Sequence, residues 1–311
     1  MKPIVTLTLN PSIDGSSEAE VVRPIHKVRT TNERYHPGGG GINVSRVVQE
    51  LGGLSQAFYL AGGATGNVFE NLLTTRRIMG RRIAIEDHTR VSHTVFERSS
   101  GLEYRFVPEG PEIRSSEWQE CLEVLGGVEC DYIVASGSLP RGVPTDFYVR
   151  VATMVRAKGA KLVLDTSGPA LKEALSAGGV HLAKPSLGEF ERLVGRELKD
   201  PAALEDAAKD FVRAERVELL AITMGHEGAL LVHKDRVSRL PALNVEVRSA
   251  VGAGDSFVAA MTLALARRSD AQEAFRWGVA AGTAAVLTPG TELCRRADVE
   301  RLYSEIAGET V

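Results

Sequence analysis

Residues 35–46 read Tyr35-His36-Pro37-Gly38-Gly39-Gly40-Gly41-Ile42-Asn43-Val44-Ser45-Arg46, four glycines in a row running into a helical pattern. Glycine loses more backbone freedom on folding than any other residue, so four together need a reason. Backbone N–H groups at a helix start bind anions, and a phosphate cradle is the first reading. A second cluster competes for that role. Val251-Gly252-Ala253-Gly254-Asp255-Ser256-Phe257 leads into an alanine-rich helix. Gly252 and Gly254 admit a close ligand, and the amides of Ala253, Gly254 and Asp255 fall where the helix dipole favours negative charge. Asp255 there reads either as a helix cap or as a general base beside a phosphate.

Around these two loops, short β-rich runs alternate with helical patterns. Strands are expected at 4–9, 56–60, 132–135, 161–164, 181–183, 219–223 and 229–232. Helices are expected from the glycine run to Gly52-Gly53, and at 67–76, 144–157, 170–176, 187–194 and 201–214. The last third adds 255–266, 271–287 and 297–306. This alternation calls for an α/β fold, a mostly parallel sheet covered on both faces. Two stretches break the alternation. Residues 15–36 carry no helical period, and residues 90–107 show a hairpin pattern around Ser99-Ser100-Gly101. Two such excursions suggest a small second sheet serving as a lid, a dimer interface or both, on one domain spanning 1–311.

The chain has 311 residues, 43% hydrophobic, with 37 basic and 40 acidic residues and net charge −3. No basic face is announced, which argues against nucleic acid and anionic membranes as partners. No apolar run approaches membrane-spanning length, and the N-terminus opens on a strand-like run rather than a signal peptide, pointing to the cytoplasm. Cys121, Cys130 and Cys294 have no metal-ligand spacing and read as reduced. A Walker A loop is excluded because no Gly-Lys pair occurs. The dinucleotide fingerprint fails at Phe257, and the protein-kinase HRD and DFG elements are missing.

YHPGGGGINVSRVVQELGG together with VGAGDSFVAAM resembles the two signatures of the PfkB-type, ribokinase-like carbohydrate kinases. The likeness continues in residues 8–14 (TLNPSID), 136–140 (SGSLP) and 184–189 (KPSLGE), in family order over nearly the whole chain. Three positions depart from the family pattern: Ala250, Ser186 and Glu292. Within the family, GGGGIN, AGGATG at 61–66 and the Tyr104-Arg105-Phe106-Val107 run resemble the minor bacterial 6-phosphofructokinase branch. Tagatose 6-phosphate kinases and 1-phosphofructokinases are the neighbouring branches.

The resemblance implies a ribokinase-like fold with a small β lid, and ATP-dependent phosphorylation of fructose 6-phosphate at its 1-hydroxyl. It implies Asp255 as base, with Gly252, Ala253 and Gly254 forming the anion hole. Asp14, Gly39, Gly40, Asn43 and Ser138 would hold the sugar. Arg90 and Arg105 would bind its phosphate, with Lys27 and Arg29 added from the same or a neighbouring subunit; arginine's planar fork suits that task. Lys184, Ser186, Thr223, Gly225, Gly228 and Gly254 would line the ATP site. Glu189 would organise Mg2+ through water, and Ser249, Val251 and Gly290 would hold a monovalent cation such as K+. A homodimer through the lid is the expected assembly. A non-catalytic sugar-phosphate or nucleotide sensor is the remote alternative.

Overall fold

The structure is a computed structural model and describes residues 2–234 and 236–308. The chain order is β1 (Ile4–Thr8), β2 (Ser12–Ala19), β3 (Thr31–Gly38), α1 (Gly40–Glu50), β4 (Ser55–Gly62), α2 (Gly63–Thr75), β5 (Gly80–Ile85), β6 (Arg90–Glu97) and β7 (Leu102–Phe106). It continues with α3 (Ser115–Gly126), β8 (Tyr132–Ser136), α4 (Phe147–Ala157), β9 (Lys161–Asp165), α5 (Gly168–Ala177), β10 (Val180–Ala183), α6 (Leu187–Val194) and α7 (Pro201–Arg213). The remainder is β11 (Val217–Thr223), β12 (Ala229–His233), β13 (Arg236–Leu240), α8 (Ala253–Ala266), α9 (Ala271–Val286) and α10 (Arg296–Ala307).

A nine-stranded sheet, ordered β13-β12-β11-β10-β9-β8-β1-β4-β5, forms the centre. It is parallel from β5 to β11, and β12 and β13 close it antiparallel. Its middle strands are apolar throughout because both faces are covered: β1 and β8 are buried at every residue. One face packs Leu125, Phe147, Leu171, Phe190 and Phe211 from the helices α3 to α7. The other packs Val44, Val47, Met261, Phe275 and Leu302 from α1, α8, α9 and α10. This is the ribokinase-like α/β architecture expected from the sequence.

The two excursions form a second sheet, ordered β3-β2-β6-β7. β2 pairs antiparallel with β3 and parallel with β6, and β6 and β7 make the expected hairpin. The first excursion is wider than 15–36, running from Ser12 to Gly38. Three elements are additional to those expected from the sequence: β5, α3 and β13.

Candidate active site

In open α/β sheets, ligands collect at the carboxyl ends of the parallel strands. Here the chain leaving β1 carries Asn10 and enters β2 with Asp14, β8 delivers Ser136 and Ser138, β9 ends on Asp165, β10 delivers Lys184, and β11 delivers Thr223 and Gly225. The first turn of α8 lies against the same edge.

Asp255 is the centre of this cluster. Asn43 Nδ2 donates to its Oδ2 at 2.9 Å, and Ser136 Oγ donates to its Oδ1 at 3.5 Å. Burial raises the Asp255 pKa to about 6, and the nearby Asp165 carboxylate adds to the rise; Asn43, Lys184 and Ser136 oppose it. A carboxylate in that range is a competent base near neutral pH. Ser256 N begins the helical ladder on Gly252 O, so the three preceding amides lie ahead of the first such bond. Gly252 adopts φ +74°, a left-handed conformation that favours glycine, and a side chain there would strike Leu293. A Cβ on Gly254 would stand 3.2 Å from Lys184 Nζ. Lys184 is buried and ion-paired to Asp165 at 3.2 Å. Burial pulls its pKa down, but the Asp165 carboxylate outweighs this and keeps it raised, so the ammonium stays charged.

Beyond Gly254 opens a groove of about 630 Å³, lined by Thr223, Gly225, Gly228, Val245, Phe257 and Val279 among others. It is apolar at the far end and borders the α8 amides, which suits a nucleotide base with its phosphates. Ser186 lies beside Thr223 in a parallel bridge. Its side chain is engaged locally: Ser186 and Glu189 form a capping box at the start of α6. Glu189 Oε2 accepts from Ser186 N and Oγ, each at 2.8 Å. Among the described residues, no group of three or more His, Cys, Asp or Glu is assembled for a metal. Ser249, Val251 and Gly290 do meet, with Ser249 Oγ donating to Gly290 O at 3.0 Å and accepting from Val251 N at 3.3 Å.

The small sheet supplies the other wall. Its register pairs Asp14 with His36 and Ser92, and Thr94 with Arg105. With the two-residue strand period, Asp14, Arg90 and Arg105 share one face. Ser12 Oγ donates to Asp14 Oδ1 at 2.5 Å. Burial raises the Asp14 pKa, against Ser12, Arg90, Arg46 and Arg105. Arg90 donates to Asn10 O at 2.9 Å and Pro108 O at 3.0 Å, and Asn10 Nδ2 reaches Ser138 Oγ at 3.4 Å. Arg90 Nε is buried without a hydrogen-bond partner among the described residues. Lys27 and Arg29 are exposed on the segment joining β2 to β3 and do not join this cluster.

The opening glycine run is explained by the chain's own packing. A Cβ on Gly38 would enter the Asp14 carboxylate, with Oδ1 at 2.7 Å. One on Gly39, at φ +103°, would meet Thr8 Cγ2 at 2.8 Å; one on Gly40, Gly137 N at 2.9 Å; one on Gly41, Leu7 O at 2.6 Å. These glycines let α1 sit on the ends of β1 and β8, which is what brings Asn43 to Asp255.

Sequence reasoning passed over Asp165 and Arg46. Asp165 ends a core strand, and that position is the signal that would have found it. Arg46 lies one helical turn after Asn43 and donates to Asn43 Oδ1 at 3.0 Å.

Residues 8–298 match the pfkB family carbohydrate kinase domain. The chain is 43% identical over 308 residues to the ATP-dependent 6-phosphofructokinase isozyme 2 of Mycobacterium tuberculosis, covering 98% of this chain and 90% of that one. The crystal structure of phosphofructokinase-2 from Escherichia coli in complex with potassium superposes with a TM-score of 0.95 at 37% identity, covering 99% and 100% of the two chains. The same E. coli enzyme in complex with fructose-6-phosphate gives 0.92 at 36% identity, again covering 99% and 100%. Two glycine loops, a buried aspartate at a helix start and matches over almost the whole length lead to one conclusion: the chain belongs to the PfkB family of carbohydrate kinases.

Proposed function

We propose that this chain is an ATP-dependent 6-phosphofructokinase, transferring the γ-phosphoryl group of ATP to the 1-hydroxyl of fructose 6-phosphate to give fructose 1,6-bisphosphate and ADP. The observation that carries the reading is Asp255, held between Asn43 and Ser136 at the start of α8 with its pKa raised to about 6. Asp255 takes the proton of the sugar hydroxyl as its oxygen bonds to the γ-phosphorus, and the bond to the β-phosphate oxygen breaks. The amides of Ala253, Gly254 and Asp255 hold the transferring group, and Lys184 neutralises charge beside it. The placement of Arg90 and Arg105 on the Asp14 face of the small sheet supports recognition of the 6-phosphate, while Asp14 and Asn43 orient the hydroxyls.

Magnesium bound with the nucleotide would supply charge neutralisation. Glu189, whose Oε2 serves the cap, would hold it through water. Ser249 Oγ and the Gly290 carbonyl, 3.0 Å apart, are the two oxygens that would hold a potassium ion there. The small sheet acts as a lid that excludes water from the sugar. Its outer face exposes Tyr35, Val91 and Phe106, which supports a homodimer through this sheet, with Lys27 and Arg29 offered to the partner. Among the described residues, no helix is long and apolar enough to cross a membrane.

A panel of fructose 6-phosphate, tagatose 6-phosphate and fructose 1-phosphate, compared by kcat/KM, tests the reading. Fructose 6-phosphate is expected to lead by on the order of tenfold or more, a differential of about 1.4 kcal/mol. A lead for either other sugar would reassign the substrate, and no turnover on any would make the chain a sensor. Light scattering on the same preparation reads the dimer, and a monomer would remove it.

A further inference from the structure

A cavity of about 780 Å³ lies on the outer side of α1, against β3 and the segment before α10. Arg34, Arg46, Arg76 and Arg295 line it, with His36 among them. Two carboxylates also line it, Glu50 and Glu292. Glu292 is shared between Arg34 at 2.9 Å and Arg295 at 3.4 Å. Glu50 Oε1 accepts from Arg296 N at 3.0 Å. Arg46 and Arg76 converge instead on one neutral ring. Arg46 Nη2 donates to His36 Nδ1 at 3.1 Å, and Arg76 Nη2 approaches both ring nitrogens at 3.3 Å. A guanidinium has no acceptor, so His36 Nδ1 is unprotonated. Among the described residues, no carboxylate oxygen lies within 4.0 Å of either guanidinium.

Like charges gathered around a cavity are unfavourable unless an anion sits between them. Four guanidiniums against two carboxylates leave a surplus of two positive charges. We propose that this cavity is a second anion site, separate from the sugar and nucleotide sites, and that it takes a phosphomonoester. Such a group carries about −1.5 to −2 charge at neutral pH, matching the surplus, and its oxygens fit paired guanidinium forks. Arg46 ties the cavity to the reaction centre, because its other terminal nitrogen bonds Asn43, which bonds Asp255. An occupant engaging Arg46 is therefore felt at the catalytic carboxylate.

The test is an NMR titration of the full chain, following the His36 ring, with glycerol 2-phosphate as probe and succinate as the dicarboxylate control. Arg76→Gln/Arg295→Gln is expected to weaken glycerol 2-phosphate binding at His36 by about tenfold or more. Arg90→Gln/Arg105→Gln, in the proposed sugar-phosphate site, is expected to change it by less than about twofold. Arg295→Gln alone, on an exposed side chain, keeps the test open if the double variant does not fold, with an expected loss of about threefold. Unchanged binding in these cavity variants would overturn the proposal. So would loss in Arg90→Gln/Arg105→Gln, because the probe would then report the sugar site. Tighter binding of succinate would overturn the phosphomonoester assignment. None of these outcomes depends on which sugar the enzyme phosphorylates.

Discussion

The two glycine-rich loops look alike in sequence and differ in what surrounds them. Side chains added at residues 38–41 would collide with the protein itself: a strand carbonyl, a neighbouring amide, a carboxylate. A side chain added at Gly254 would meet the end of one lysine, across a space that opens on the nucleotide groove. The first loop is glycine-rich so that a helix can dock. In the second, Gly252 is likewise closed by Leu293, and Gly254 is the position that leaves room for a ligand. A run of glycines before a helix therefore does not identify an anion site; the neighbours of the missing Cβ do.

Three measurements bear on that contrast. The largest effect is expected from Asp255→Asn, which keeps the shape of the second loop and removes its base. Its kcat should fall by about 10²–10⁴-fold, and turnover near that of the parent chain would break the assignment. Next comes a pair of alanine substitutions. Gly41→Ala presses a Cβ on Leu7 O and should lower unfolding stability by about 1–3 kcal/mol. Gly254→Ala meets the end of Lys184, with Asp165 Oδ2 no nearer than 4.0 Å, and should stay within about 1 kcal/mol in stability. It should nevertheless lose about tenfold in kcat/KM for ATP. Denaturant unfolding and steady-state kinetics read both, and equal stability losses would erase the contrast.

The smallest effect is in pH. Asp255 must be ionised to act, so kcat should decline as pH falls through about 6. Its folded pKa lies above the ordinary aspartate value of 3.8, so the folded chain binds the extra proton in that window. The stability contributed by protonated Asp255 is full below about 4 and is lost as pH rises through about 6. Asp255→Asn should flatten that slope, and an unchanged slope in pH-dependent unfolding would show that another group carries it.

The large sheet was readable because buried parallel strands are short apolar runs between helical periods. β5 was not, since Gly80, Arg81 and Arg82 face water or half-water at the sheet edge. α3 carries a helical period in Trp118, Cys121 and Leu125, but its cap is Arg114 rather than the usual Ser or Asp, so its start is poorly marked. In the site, Asp255 and Asn43 were legible by position, and the structure adds that they touch. The Ser186–Glu189 capping box was also written in the sequence as S-x-x-E. Arg46 was invisible for a different reason. Its partners, Pro37 O, Asn43 and His36, become meaningful only once α1 is seated against β3.

The close seating of α1 also limits how this enzyme's acceptor range can change. Asp14 closes Gly38, the end of β1 closes Gly39 and Gly41, and Ser136 with Gly137 closes Gly40, so no single accommodating shift would free the whole run. Enlarging or reshaping the sugar pocket from that wall would need several simultaneous changes in β1, β2 and β8. The opposite wall carries no such restriction: Arg105 and its neighbours on β7 are largely exposed and pair with one strand only. Selection or design for a different phosphosugar would therefore find its accessible mutations in β7, with the glycine wall left as it stands.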